Sequence, residues 1–369
     1  MASGGRLFNE HFFFSNKLVL TICGLHPDQS KNDQLFLFCA ITLYVFPALV
    51  HQFYQLFTSE VIMKDTVNVL QKTFGIIALL LAYSTTYFSF LTVSVFDMNE
   101  HGLFNGYGIS IIAPCVVRVL LYFSGILDEN QLQLIVPVNN ISKAGVIYFC
   151  LLIYQIIGVI IVVTVGAISF SGYLIAVLFA CYQFRVLILK IRRPFEKSWK
   201  YFGNDCCFRK PEEEWDWIID VINRYKNATE YVDLLNQFSK MTYLLTEILA
   251  MMLIIFDFVY IFQVSIDLQN SLEIIECSLY IAGSIVTLYN NFYFGQELIN
   301  YSDEVFEELC QVPFYILSKK SQKTLLFMII RSCKPSILSI GGMFVSSHES
   351  FAALMKKAFS FAMVYYNYV

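Results

Sequence analysis

The chain reads as an all-α, polytopic membrane protein, and three observations carry that reading. Hydrophobic residues make up 57% of its 369 positions and charged residues only 15%, with a mean hydropathy of +0.59; an ordinary soluble domain is about a quarter charged. The apolar residues fall in blocks of about 20, the length a helix needs to cross a ~30 Å hydrocarbon core. Basic residues concentrate in two of the intervening stretches, which orients the blocks relative to the cytoplasm. The net charge of −4 predicts no polyanionic partner and sets nucleic-acid binding aside.

Residues 1–34 carry scattered charges and no long apolar run before a small-residue cleavage site, so a signal peptide is not expected and the segment is assigned to the cytoplasm. The first span covers 35–57, the second about 69–95 and the third about 107–127. The stretch 143–191 holds only Lys143, Arg185 and Lys190 as charges, so it is one very long helix or two, with Gly166 and Gly172 offering a break. One helix gives seven spans and a cytoplasmic N-terminus; two give eight and an external one. Arg6, Lys17 and Lys31 ahead of the first span favour seven. Further helices are expected at 228–264, apolar from 243 onward, at 273–300, and at 319–369 with a break at Gly341–Gly342. No internal repeat is visible, which speaks against the repeat-built transporter folds.

Lys190, Arg192, Arg193, Lys197, Lys200, Arg209 and Lys210 form one basic cluster, and Lys319, Lys320, Lys323, Arg331 and Lys334 the other. Both are placed in the cytoplasm. The stretches 58–68, 128–142 and 265–272 contain one basic residue, Lys64, and are placed outside. The last helix then leaves the cytoplasm and puts the C-terminus outside the cell. The expected organisation is a cytoplasmic segment 1–34, helices one to four over 35–191 with the external loop 128–142, a cytoplasmic loop 192–227, and helices five and six over 228–300. A cytoplasmic anchor region with the first part of helix seven, 301–345, and the final helix, 346–369, complete it. Asn140, in the sequon Asn140-Ile-Ser142, is the expected glycosylation acceptor; Asn227 and Asn300 sit in sequons on the cytoplasmic side and are expected unmodified.

Catalytic and metal chemistry are not expected. The five histidines stand apart from one another, and most of the ten cysteines lie inside spans or basic loops. There is no Gly-rich phosphate loop and no nucleophile–base pair, so no enzyme activity, cofactor or metal is assigned.

In the last helix Lys356, Ser360, Val364 and Asn367 recur at i, i+4, i+8 and i+11 and share one face. Such a stripe faces protein or water rather than lipid. Two readings stay open: pore lining, or lysines that snorkel to the inner interface while Ser360 and Asn367 bond neighbouring helices. The acidic run Glu297, Asp303, Glu304, Glu307 and Glu308 reads as a solvated helix face, with cation concentration as the alternative. Arg118, inside the third span, either supports a polar pocket or marks the span's edge.

The C-terminal motifs, taken in order, resemble those of insect odorant receptors. They are Arg331-x-x-Lys334-Pro335, then Gly341-Gly342-x-Phe344, then Glu349-Ser350-Phe351 opening the last helix. The run 294–315 looks like that family's sixth-helix exit and 231–256 like its fifth helix. The resemblance implies a subunit of a ligand-gated, non-selective cation channel in the plasma membrane of olfactory sensory neurons. It implies a small volatile ligand, permeant cations, and assembly with the shared co-receptor (Orco) in a heterotetramer. The chain resembles the odour-tuning subunit, because only 22 residues separate Arg192 from Trp215 where the co-receptor carries a long insertion.

By the same resemblance the last helix lines a tetrameric pore, with Ser360 and Asn367 as polar lining and Val364 and Tyr368 at the gate, one turn apart. The odorant pocket falls on the outer halves of spans two, three, four and six. That names Phe74 and Ile77; Val119, Tyr122 and Phe123; Tyr148, Leu151, Leu152 and Gln155; and Ile275, Leu279 and Tyr280. The alternatives are a gustatory-type homotetrameric channel, whose terminal motif is matched only conservatively by Ser360-Phe361 and Asn367-Tyr368, and a metabotropic seven-helix receptor.

Overall fold

A computed structural model describes Thr21, Gly24, residues 29–58, 63–90, 145–195, 211–266 and 271–368, with Val116, Val119, Leu120, 122–124, Leu134 and Ile135 between them. The expectations for Arg118, Asn140, most of the third span and the basic loop beyond 195 lie outside the described residues.

The described elements run in chain order as α1 (Lys31–Thr58), α2 (Met63–Phe90), α3 (Val146–Arg192), α4 (Pro211–Ile266), α5 (Ser271–Gln311), a 3₁₀ turn (Phe314–Ile316), α6 (Lys319–Ser332), the strands β1 (Ser339–Ile340) and β2 (Phe344–Val345), and α7 (His348–Tyr368). Among the described residues, three stretches are long and apolar enough to cross a membrane: Lys31–Phe57, Val146–Arg192 and Tyr243–Gln263. Val69–Ser84 is a shorter apolar stretch within α2.

The stretch that the sequence leaves as one helix or two is one, α3, of 47 residues. Gly166 and Gly172 do not break it, since a helix interior tolerates a glycine for about 1 kcal/mol. The helix expected at 228 begins instead at Pro211, and α4 runs for 56 residues. Its start has a physical signature: proline, whose missing N–H costs nothing in a first turn, followed by Glu212, Glu213 and Glu214 against the positive end of the helix dipole. At 1.5 Å per residue α4 is roughly 84 Å long, far beyond the ~30 Å of hydrocarbon. Much of it therefore stands in water.

The chain divides into two compact units. The first comprises Met1–Tyr173, Leu245–Leu288 and Ala353–Val369; the second comprises Leu174–Leu244 and Tyr289–Ala352.

In the second unit the charges that the sequence reads as a solvated acidic face are partly committed. Arg192 bonds Glu304 at 3.0 Å and Glu308 at 2.5 Å. Lys190 meets Asp220 at 3.2 Å, and its carbonyl accepts from the Trp217 indole N–H at 3.0 Å. Glu214 accepts from both the backbone N–H (2.9 Å) and the hydroxyl (2.8 Å) of Ser318, the N-cap of α6. Burial pushes the Glu214 carboxyl up, but the hydrogen bonds from Ser321 and Ser318 outweigh it and hold the group below the ordinary carboxylate range.

The expected break at Gly341–Gly342 is a two-stranded antiparallel hairpin pairing Ser339 with Val345 and Ile340 with Phe344. Met343 N–H donates to Ile340 O at 3.1 Å, and the two residues between have φ of +64° and +77°. A turn with both central residues left-handed is glycine's place. Asn236 of α4 clamps the first strand, its amide donating to Ile337 O at 2.8 Å and its Oδ1 accepting from Ser339 N–H at 2.9 Å.

Candidate functional site

In the first unit, apolar helices leave a cavity of about 120 Å³, close to the roughly 150 Å³ that admits a benzene-sized guest. From α1 it takes Tyr44, Val45 and Ala48; from α2, Gln71, Lys72, Gly75 and Ile76. The α3 lining runs from Tyr154 and Gln155 through Gly158 and Val159 to Val162 and Val163, and Ile135 closes one side. Leu253 and Asp257 of α4 and Tyr280 and Ser284 of α5 complete the wall.

Local sequence explains the space. Gly75 and Gly158 each withhold a side chain from the lining: a Cβ added at Gly75 meets nothing within 4 Å, and at Gly158 only Tyr44 Cε1 at 3.5 Å. Tyr44 and Tyr154 brace α1 against α3. Their rings lie 4.8 Å apart, and each hydroxyl donates to the other residue's backbone carbonyl, at 2.9 and 2.6 Å. Lys72 Nζ donates to Ile135 O at 2.5 Å, so a cation inside an apolar wall meets an acceptor, as it must.

Of the residues that the resemblance assigns to the odorant pocket, Gln155 and Tyr280 line this cavity. Tyr148 and Leu152 are buried with Leu134 and Ile135 in an apolar cluster, against which Val119, Tyr122 and Leu151 pack. Ile135 belongs to that cluster and to the cavity wall alike. Phe123 stacks on Phe149 with centroids 5.9 Å apart, and Phe74 stacks on Phe256 at 5.6 Å. Ile77 is half-buried on α2. Ile275 and Leu279 stand on the surface of the chain, more than half exposed.

The cavity also holds side chains that the sequence reading passes over: Gln71, Lys72, Asp257 and Ser284. One signal was available. Asp257 is a lone carboxylate in the run MMLIIFDFVYIF (251–262), and an ionisable residue inside a span marks a functional site by default.

The stripe on α7 is where spacing places it. Ser360, Val364 and Asn367 are exposed, as is Lys356, while the opposite face packs within the chain. Ala362 is fully buried in a cluster with Val67 and Val259. Phe359 packs edge-on to Phe258 and Phe262, and Tyr366 lies against Phe262 at 5.4 Å. The helix therefore buries its alanine face, sets Phe359 and Tyr366 against α4, and leaves the polar stripe exposed. The side chain of Tyr368 lies outside the described residues.

Among the described residues no group of three or more His, Cys, Asp or Glu is placed to hold a metal.

The chain matches the family model described as 7tm Odorant receptor over residues 92–359. No curated protein matches it. Its fold is similar to that of the insect olfactory receptor OR5 from Machilis hrabei in complex with eugenol, with a TM-score of 0.68 at 11% identity over 97% of each chain. A second structure of that receptor gives a TM-score of 0.66 at 11% identity, covering 97% of this chain and 98% of the other. At that identity the likeness is one of fold, and it extends over nearly the whole length. The apolar helices and the family match, which spans well over half the sequence, agree: the chain is a multi-pass membrane protein that belongs to the 7tm odorant receptor family.

Proposed function

We propose that the chain is the ligand-tuning subunit of an odour-gated, non-selective cation channel in the plasma membrane of olfactory sensory neurons, opening a pore formed with the Orco co-receptor in a heterotetramer. The observation that carries the reading is the cavity walled by apolar helices in a chain of this family. A mostly apolar enclosure with a few convergent polar groups suits a small volatile molecule. In one solved structure of similar fold, the protein is an olfactory receptor in complex with eugenol, itself a small volatile molecule.

In this reading the ligand occupies the cavity, with Gln155 and Tyr280 among its contacts and the cluster around Tyr148 and Leu152 supporting the wall. Binding favours the helix arrangement of the open pore and shifts the closed–open equilibrium by its differential affinity for the two states. The exposed stripe of α7 faces the pore axis, Ser360 and Asn367 lining it and Val364 and Tyr368 forming the gate. A ring of apolar side chains blocks ions by dewetting and conducts when the helices move apart.

The test is to express the chain alone and with the co-receptor and to record volatile-evoked current without added nucleotide. Current only with the partner supports the tuning-subunit reading. Current from the chain alone favours a homomeric, gustatory-type receptor, and dependence on G-protein signalling overturns the channel reading.

A further inference from the structure

Chemically, the cavity is not neutral. Asp257 is 2% exposed within the apolar stretch Tyr243–Gln263. Gln71 and Ser284 face this carboxyl, the Gln71 amide donating to Oδ1, whereas Oδ2 is buried with no hydrogen-bond partner within bonding geometry among the described residues. A buried carboxyl oxygen left unmet is costly, and more so where no bulk water reaches.

Several donors around the cavity are engaged: Lys72 donates to Ile135 O, and the Tyr44 and Tyr154 hydroxyls are bonded to each other's carbonyls. The wall also offers a guest an open acceptor. A guest with only acceptor oxygens leaves Oδ2 as it found it. A guest that brings an O–H or N–H meets it.

We propose that this cavity selects small apolar molecules bearing a hydrogen-bond donor, alcohols or amines, over aldehydes, ketones and esters of the same skeleton, and that Asp257 is the specificity-determining residue. The assignment rests on the cavity being the odorant site. The difference between meeting and leaving unmet a buried acceptor is enough to give a potency ratio of about 10- to 100-fold. The cavity's volume of about 120 Å³ suits skeletons of about six carbon atoms.

The experiment uses the full chain co-expressed with the co-receptor and a matched six-carbon series: hexan-1-ol, hexylamine, hexanal and methyl pentanoate. The alcohol or the amine, or both, are expected at least tenfold more potent than the aldehyde and ester. An alcohol in front identifies a neutral donor and an amine in front a cationic one, and both support the assignment. Asp257→Asn is expected to bring the four compounds within about threefold of one another while the carbonyl compounds keep their potency. Equal potencies on the unmutated receptor, or an unchanged preference in Asp257→Asn, overturn the donor assignment and leave the receptor reading standing. If Asp257→Asn does not reach the cell surface, the ranking on the unmutated receptor decides alone. A channel silent to every member of a broad volatile panel, with the chain at the surface and the co-receptor's own current intact, overturns the receptor reading and the donor assignment with it.

Discussion

Gly295 is the residue whose replacement tests the packing of the second unit most sharply. It lies inside α5, where glycine is the poorer choice: alanine is favoured in a helix interior by about 1 kcal/mol. On local grounds Gly295→Ala stabilises. The structure reverses that sign. A Cβ at 295 falls 2.3 Å from Ser346 Oγ, 2.5 Å from Ser346 Cβ and 2.5 Å from Ser346 O, all about 1 Å inside the ~3.5 Å at which non-bonded heavy atoms attract.

Ser346 has nowhere to go. It is fully buried, its N–H donates to Leu338 O at 2.9 Å, and its hydroxyl donates to Asn291 O at 3.1 Å. Moving it breaks those bonds, each a contribution of about 1 kcal/mol, on top of the roughly 1–3 kcal/mol that overpacking costs. After the helix gain is subtracted, Gly295→Ala should destabilise by about 2–4 kcal/mol. Gly158→Ala is the control, since its Cβ meets only Tyr44 at the ordinary distance of 3.5 Å, and it should keep most of the gain. The assay is thermal unfolding of the purified, detergent-solubilised receptor, followed by the fraction remaining monodisperse. The midpoint of Gly295→Ala should fall by several degrees, at roughly 2–4 °C per kcal/mol, while that of Gly158→Ala holds or rises. Gly295→Ala combined with Ser346→Gly should recover only part of the loss, because the backbone oxygen still obstructs. Equal midpoints for the two single variants would refute the close approach.

Three other outcomes are expected. Gly75→Leu places its side chain into the cavity without meeting a heavy atom at Cβ, so potency for volatiles should fall at least tenfold while surface delivery is kept; an unchanged concentration–response curve removes the cavity from the site. Val364, 55% exposed on the stripe of α7, should on replacement by alanine raise the resting current or change ionic selectivity, and voltage-clamp recordings identical to those of the unmutated channel would take it out of the gate. Glu214 carries a pKa lowered by its bonds to α6. Its stabilising contribution is therefore present above the ordinary carboxylate range and is lost as pH falls through the lowered value. Melting midpoints measured against pH should accordingly drop on the acid side, and Glu214→Gln should lower the neutral midpoint and flatten that acid limb.

The comparison with the sequence is uneven along the chain. The apolar blocks determine α1, α2 and the membrane part of α4, because a spanning segment must satisfy its own backbone and has few alternatives to a helix. Gly341 and Gly342 mark their turn for an equally local reason, the left-handed backbone there. The Pro211-Glu-Glu-Glu start of α4 was legible by the same kind of rule, yet the surrounding charges read as loop. The stretch from 143 to 191 had no local answer, since a glycine inside a helix is permitted as readily as a break.

The site was less legible than the fold. Spacing on α7 put Lys356, Ser360, Val364 and Asn367 on one face, since helical periodicity alone fixes which residues share it. That this face stays free while Ala362 and Phe359 are packed was decided by contacts with α2 and α4, far away in sequence. The cavity belongs wholly to tertiary structure. Gln71, Gly75, Gln155, Asp257 and Ser284 come from four helices, and of these only the carboxylate of Asp257 stands out in its own run. Only the packing of those helices brings one buried carboxyl oxygen and two absent side chains to the same enclosed space. Sequence by itself determined that the chain lives in a membrane and which face of its last helix is polar, both consequences of local periodicity. Tertiary structure alone decided where a small molecule can fit and which chemical group it meets there, because a void is a property of what neighbouring helices fail to fill.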